Sequence, residues 1–317
     1  MKFRTLVLCL ASKIFFHFLG TAPAYAGYSL TSETTAGSST LSEGLSVNGD
    51  VDLPTAEDEE KSWNWKLETN YSTSPPAAAA NGASVRSATS QFIGGIGYQS
   101  DWSADLDLNY SRTPAEALKS FGPTLSLGYT IDFDSESEFE PSVDLGLSLG
   151  TTGYQQDFTS DTVTTKRKKP RGSTTSEKIR QNSIRPQLTV SPLSWLSASV
   201  SYARYAYDRD VAEFLGFLNQ PQSIRLGLGG FADTLDGLPE QSTDLSATLH
   251  LSEAWDLEGS ASWTRSKSSG ALTHGWGTKL ETRMWSPLAL ALGVERNISP
   301  DQPAENLGTL RVSFRWE

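Results

Sequence analysis

The sequence predicts an all-β chain closed into an antiparallel transmembrane β-barrel of twelve strands, and three observations carry that prediction. The first is the stretch Asp244 to Ser266, DLSATLHLSEAWDLEGSASWTRS. Leu245, Ala247, Leu249 and Leu251 alternate with Asp244, Ser246, Thr248 and His250, and after the SEAW turn Trp255, Leu257, Gly259, Ala261 and Trp263 alternate with Asp256, Glu258, Ser260 and Ser262. Alternation of period two on both arms of a tight turn is a β-hairpin with one apolar and one polar face. The second is arm length, since strands of about ten residues with aromatic ends suit a tilted path across a bilayer. The third is that no segment beyond the N-terminus approaches the roughly eighteen consecutive apolar residues of a spanning helix. A chain of this kind in a membrane must close its sheet, because only closure pairs every strand edge in lipid.

The chain opens with Lys2 and Arg4, then the apolar runs Leu6 to Leu10 and Ile14 to Leu19, then Ala24-Tyr25-Ala26. Small residues at alternate positions suit cleavage before Gly27, so residues 1–26 read as a signal peptide. The single cysteine, Cys9, lies inside it, which leaves the mature chain without disulfides or thiolate metal sites. The net charge of −11 becomes more negative once Lys2, Arg4 and Lys13 are removed, and such a chain does not seek nucleic acid by bulk charge. Residues 27–61 are rich in Ser, Thr and Gly and acidic at Glu57 to Glu60, and read as a flexible acidic periplasmic tail, with a plug in the lumen as the alternative. Residues 62–317 then form the barrel.

Its first strand is Trp63 to Tyr71, where Trp63, Trp65, Leu67, Thr69 and Tyr71 share one face and Asn64, Lys66, Glu68 and Asn70 the other. Phe92, Gly94, Ile96 and Tyr98 follow, and after Gln99-Ser100-Asp101 come Trp102, Ala104, Leu106, Leu108 and Tyr110 against Ser103, Asp105, Asp107 and Asn109. Leu125 to Phe133 and Phe139 to Leu149 make the next pair, with Asp132 and Asp144 on the inner face. A long polar segment from Gly150 to Asn182 carries the basic run Lys166 to Arg171, read as a solvated loop, or else as a binder of lipopolysaccharide phosphates or of the acidic lumen. Ile184 to Val190 and Leu196 to Tyr202 resume the alternation about SPLSW.

Short turns near Ser100, Ser135, Pro192, Glu253 and Pro287 fall on the periplasmic side, and five such turns with a first and a last strand give twelve strands. Tyr205 to Gln241 is then one extracellular loop. Val211, Phe214, Leu215 and Leu218 follow helical spacing after Asp210, so the loop reads as partly helical, and Phe214, Leu215, Leu218 and Phe231 are its candidates for a lumen constriction. A second reading makes Ala212 to Leu218 and Ile224 to Phe231 two further strands and gives fourteen, at the cost of turning Leu215 and Phe217 to water. Trp276 to Met284, Leu288 to Val294 and Leu310 to Trp316 complete the barrel.

The closing residues TLRVSFRWE resemble the terminal strand by which bacterial outer-membrane β-barrels, the porin-like proteins among them, are recognised for assembly. The resemblance covers residues 63–317 at the level of architecture. It implies a bacterial outer-membrane location, contact with outer-membrane lipid and lipopolysaccharide, and insertion by the barrel assembly machinery; an oligomer is compatible with it.

The inward positions bear on function. Ser199, Ser246 and Ser260 are small and leave room for water, and Lys66, Asp105, Asp107, Asp132, Asp144, Arg283, Arg311 and Arg315 complete the predicted lumen lining. Acids on early strands and arginines on late ones, next to Lys66 once the barrel closes, read either as a transverse field that orients polar solutes or as interstrand salt bridges. No catalytic residue, metal site or cofactor is expected: beyond the signal only His250 and His274 remain, at the inner and outer rims, with no nucleophile motif beside them. The sequence therefore predicts a porin-like channel for small hydrophilic solutes. A structural or surface-interaction protein, whose outer loops bind a partner, is the alternative, followed by an export domain for a passenger.

Overall fold

The computed structural model describes residues 26–37, 41–52, 62–73, 77–78, 84–85, 88–113, 118–133, 141–160, 173–211, 223–225, 234–236, 238–285, 287–300 and 304–316. Fourteen strands pair in a closed barrel. They are β1 (Ala26–Gly37), β2 (Leu41–Asp52), β3 (Ser62–Thr73), β4 (Ala88–Gln99), β5 (Trp102–Thr113), β6 (Leu118–Asp132) and β7 (Ser142–Ser160). The second half runs through β8 (Ser173–Leu193), β9 (Leu196–Tyr207), β10 (Pro239–Ser252), β11 (Trp255–Ser266), β12 (Leu272–Trp285), β13 (Leu288–Ile298) and β14 (Glu305–Trp316). Each strand pairs antiparallel with its neighbours in chain order, and β1 pairs antiparallel with β14 to close the ring.

The barrel is apolar outside and polar inside, as the alternation requires. Leu67, Ile96, Leu106, Leu127, Leu145, Leu292 and Leu310 are among the exposed large side chains of the outward face. In water such a surface would drive association; in lipid it is the surface that belongs there. Aromatic side chains mark the inner rim, where Trp63 meets Tyr98 edge-on at 5.4 Å and Tyr98 lies 4.9 Å from Trp102. Tyr28 opposite Trp316 puts the start of β1 and the end of β14 on this same rim. The tight turns at Ser194-Trp195 and Glu253-Ala254 lie here, whereas the two ends of the longest connection, at Asp208 and Leu238, lie on the opposite rim. The rim with both strand ends and the tight turns is therefore the periplasmic one.

The count corrects the expectation of twelve strands, and the correction lies at the start of the chain. β1 and β2 occupy residues 26–52, which but for Ala26 fall in the stretch read as a tail, and β2 pairs with β3 along its whole length. Their outward positions include Ser32, Thr34, Ala36 and Gly49, so both faces of the hairpin look polar in sequence. The large partner lies on the neighbouring strand instead: Trp65 covers Gly49, where a Cβ would stand 2.6 Å from the indole Cε2, and its ring lies 6.4 Å from that of Tyr28. The second reading reached fourteen by the wrong strands. Among the described residues of the 208–238 connection, Ser223–Arg225 and Thr234–Asp236 pair only with each other, as a two-stranded sheet that is not part of the barrel's ladder. Val211 is helical, and the rest of the run read as partly helical lies outside the described residues, Phe214, Leu215 and Leu218 with it, as do Phe231, the signal residues 1–25 and the basic run 166–171.

The polar segment from Gly150 to Asn182 is also largely strand, since β7 and β8 run for 19 and 21 residues. About ten residues suffice to cross the bilayer. Outward positions change from Leu149 and Ile184 to Thr151 with Asn182, Gly153 with Arg180 and Gln155 with Lys178. The pair thus projects beyond the lipid, where a strand needs no apolar face.

Pro123, which has no N–H to give, sits where the pairing of β6 with β7 is interrupted between Phe121–Gly153 and Thr124–Gly150. The two backbones close in at Gly122: a Cβ there would collide with the Thr151 carbonyl oxygen and stand 2.8 Å from the Thr152 Cα. Gly122→Ala is expected to destabilise the folded barrel by about 1–3 kcal/mol, read as a lower urea midpoint in detergent, while Gly259→Ala, with nothing within 4 Å of the new methyl, leaves the midpoint in place.

Candidate functional site

The lumen is lined by the second face of every strand. Cross-strand partners share a face, so the register places Lys66, Asp105, Asp107, Asp132, Asp144, Ser199, Ser246, Ser260, Arg311 and Arg315 on the inner face, and Arg283, which no register pair includes, joins them through its bridges to inward Asp256 and Glu281. The lining is small and hydroxyl-rich, with Ser199 opposite Ser246 and Ser246 opposite Ser260. Inward hydroxyls bond across strands, as in Ser126–Ser148 at 2.9 Å and Ser111–Ser120 at 2.7 Å.

The charges are arranged as local pairs. Lys66 Nζ reaches Asp107 Oδ2 at 2.8 Å from two strands away, passing over Gly95 of β4. A side chain at Gly95 would run into the Asp107 carboxylate and stand 2.9 Å from Lys66 Cε, so the glycine is what lets the pair meet. Arg311 forks onto Glu33 of β1, with Nη2 at 2.6 Å and Nε at 2.7 Å from Oε2. Arg283 bridges Asp256 at 3.0 Å and Glu281 at 3.4 Å, and the other oxygen of Asp256 holds His250 Nδ1 at 2.6 Å. Lys279 pairs with Glu258, and Arg185 lies 3.4 Å from Asp244.

This geometry bears on the two sequence readings of the charges. Lys66, Arg283 and Arg311 each sit in a bridge, and the late arginines are not next to Lys66, because β1 and β2 stand between β14 and β3. Asp144 instead accepts a bond from Thr130 Oγ1 at 2.7 Å. Glu33 was missed because its strand was missed; an acidic residue amid Thr and Ser carries no sign that it faces an arginine at the far end of the chain.

A cavity of about 220 Å³ opens on the inner wall between β8 and β13. Ser199, Ser246 and Ser260 line it, together with Arg185, Asp244, Glu258 and Glu295. The four charged residues were not among the predicted lining, although Asp244 and Glu258 stand at polar positions of the hairpin alternation and so could have been read. Asp244 is held by Ser201, whose Oγ donates to Oδ2 at 3.2 Å, as well as by Arg185.

Towards the outer rim the two described ends of the 208–238 connection meet a buried apolar cluster. Val211 and Leu238 are buried against Tyr154 and Ile179, with Tyr207 packed on the cluster. A chain of bonds fixes it: Tyr154 Oη donates to Gln181 Oε1 at 3.2 Å, Gln181 Nε2 donates to Tyr207 Oη at 2.6 Å, and Tyr207 Oη donates to the Pro239 carbonyl at 2.6 Å. These groups sit in the part of β7 to β9 that stands beyond the lipid. The described ends of the connection, Val211 and Leu238, are thereby held against Tyr154 and Ile179 of the wall.

His250 lies inward at the periplasmic rim, tied to Asp256, while His274 faces outward opposite Trp263 and Ile298. The two are on opposite faces of the sheet. Among the described residues no group of His, Cys, Asp and Glu could hold a metal ion.

No family model matches the chain, and no curated protein does. Among solved structures it is similar to OccK11 (OpdR) of Pseudomonas aeruginosa, at 12% identity over 92% of this chain and 95% of that one, with a TM-score of 0.39. OprD of Pseudomonas aeruginosa matches at 10% identity over 92% and 93% of the two chains, with a TM-score of 0.41. The KdgM porin matches at 10% identity over 91% and 99%, with a TM-score of 0.40.

Proposed function

We propose that this chain is an outer-membrane channel for passive diffusion of small hydrophilic solutes. The observation that supports this most is the inner wall: a closed barrel of fourteen strands presents serine, threonine and glycine inward and opens among them into a polar cavity at mid-wall. A wall of small polar groups holds water and offers hydrogen bonds to a passing solute in place of its hydration shell. The charge pairs are interstrand links, as the Lys66–Asp107 pair over Gly95 is, so these charges are engaged with one another.

The proposal assigns no catalytic step to the chain. It includes insertion by the barrel assembly machinery through β14 and contact with lipopolysaccharide at the outer rim. Reconstitution of the purified full-length protein in a planar bilayer is expected to give stepwise conductance. A barrel shown to be folded by its heat-modifiable gel mobility, yet silent in the bilayer, would sink the channel reading. The surface-interaction alternative draws support from the extension of β7 and β8, whose outward Lys178 and Arg180 are exposed beyond the lipid; a silent barrel that retains lipopolysaccharide would favour it.

A further inference from the structure

We infer that the outward face of β9, β10 and β11 at the outer rim is a binding site for the phosphorylated head of lipopolysaccharide. The inference rests on the lipopolysaccharide contact included in the proposed function, deepens it to named residues, and is independent of conduction.

The first ground is where the outward cations stand. The register puts Arg112, Lys119, Arg204, Arg265 and Arg296 on the outer face of the sheet, all of them towards the outer rim. Among the described residues no lysine or arginine takes an outward position at the periplasmic rim, where Trp63, Trp102, Tyr129 and Phe314 face outward instead. A chain with a net charge of −11 thus shows basic side chains to one leaflet only. The outer leaflet is the one built from phosphorylated glycolipid, and an anionic headgroup layer attracts basic side chains that stand at its level.

The second ground is the arrangement on β9 to β11. Tyr202 lies opposite Thr243 and Thr243 opposite Trp263, so an outward aromatic residue stands on each side of Thr243. Two residues further out, Arg204 lies opposite Gln241 and Gln241 opposite Arg265, so an arginine stands on each side of Gln241. Aromatic side chains mark the headgroup boundary, and the step to the next outward level is about 7 Å, which puts the arginines among the headgroups. Their strands lie about 10 Å apart, two strand spacings. Both arginines are exposed, and Arg204 forms no ion pair among the described residues. Arg265 shares Glu240 with Lys267, at 3.7 Å and 3.1 Å. Three cations around that one carboxylate leave two positive charges in excess. A guanidinium binds phosphate as a two-pronged donor, and lipid A, a disaccharide with a phosphate on each sugar, offers one phosphate to each arginine. Below the aromatic level Leu245 and Ala261 continue the outward face to the depth of the acyl chains.

The test is the affinity of the full-length barrel, folded in detergent, for fluorescently labelled lipid A, read by anisotropy. Arg204→Gln combined with Arg265→Gln is expected to weaken binding about thirtyfold, the effect of two basic residues at an anionic lipid surface. Arg296→Gln, which removes an outward arginine whose ladder neighbours are Trp276 and Asn306, should leave the affinity unchanged. Heat-modifiable gel mobility confirms that each variant is folded. Should the double variant not fold, either single substitution decides in its place, with an expected loss of about fivefold. Binding that the folded variants do not weaken overturns the site while leaving the lipopolysaccharide contact standing. Dephosphorylated lipid A bound as tightly as the bisphosphorylated form, or displacement of lipid A by an equal concentration of inorganic phosphate, overturns recognition of a phosphorylated lipid head. A wild type that binds no lipid A removes the contact itself and the inference with it, and the bilayer conductance still decides the channel reading separately.

Discussion

Removal of residues 27–52 is expected to abolish the folded barrel. Without β1 and β2 the edges of β3 and β14 lose the partners to which they are bonded along their lengths, and each unpaired backbone group left in lipid costs several kcal/mol. The inward seam goes as well, since Thr31 bonds Ser313 at 3.0 Å, Glu33 holds Arg311 and Thr35 bonds Thr309 at 3.0 Å, all between β1 and β14. Refolding of the shortened chain into detergent, followed by gel mobility with and without heating, should show only the unfolded band. A tail would behave otherwise, because its loss leaves the barrel unchanged. A compact, heat-modifiable form of the shortened chain would contradict the closure described above.

Arg311→Glu is expected to be the most damaging single charge change. It replaces a two-pronged bond across the closing seam with two carboxylates facing one another on partly buried side chains, 31% and 24% exposed. Exposed pairs contribute little and buried ones lose about 3–5 kcal/mol when broken, so a pair of intermediate burial should lose about 1–3 kcal/mol on truncation and more on reversal. The check is a double-mutant cycle on urea midpoints: Glu33→Arg with Arg311→Glu should recover much of the loss, since the guanidinium and carboxylate then exchange strands. Equal and additive losses in the two single variants and the double would show that the pair is not coupled.

The hairpin of Asp244 to Ser266 shows how much of the fold was legible in the sequence. Its two-residue periodicity puts Leu245 opposite Ala261 and Ser246 opposite Ser260, and the barrel pairs them so. Tight turns at Ser194 and Glu253 could likewise be read, because a strand that leaves lipid must turn within a few residues of its aromatic end. β1 and β2 could not be read by the same rule. Their outward Ser32, Thr34 and Gly49 break the apolar alternation, and the group that covers Gly49 is Trp65, which only strand pairing brings near. The outer reaches of β7 and β8 escaped for the converse reason, since above the bilayer no apolar face is required.

For the candidate site the division is similar. Which residues face inward follows from alternation, so Lys66, Asp107 and Ser246 could be named without a structure. What each inward residue meets does not follow, because a cross-strand contact depends on register and on the strand between. Lys66 reaches Asp107 only because Gly95 leaves the space open, and Arg311 meets Glu33 only because the last strand closes on the first. By itself the sequence determined a membrane β-barrel with a polar lumen, through a period-two pattern that any sheet must obey. The tertiary structure decided the number of strands, the partner of each charge and the acid-rich cavity, because these depend on where a closed sheet joins its own ends.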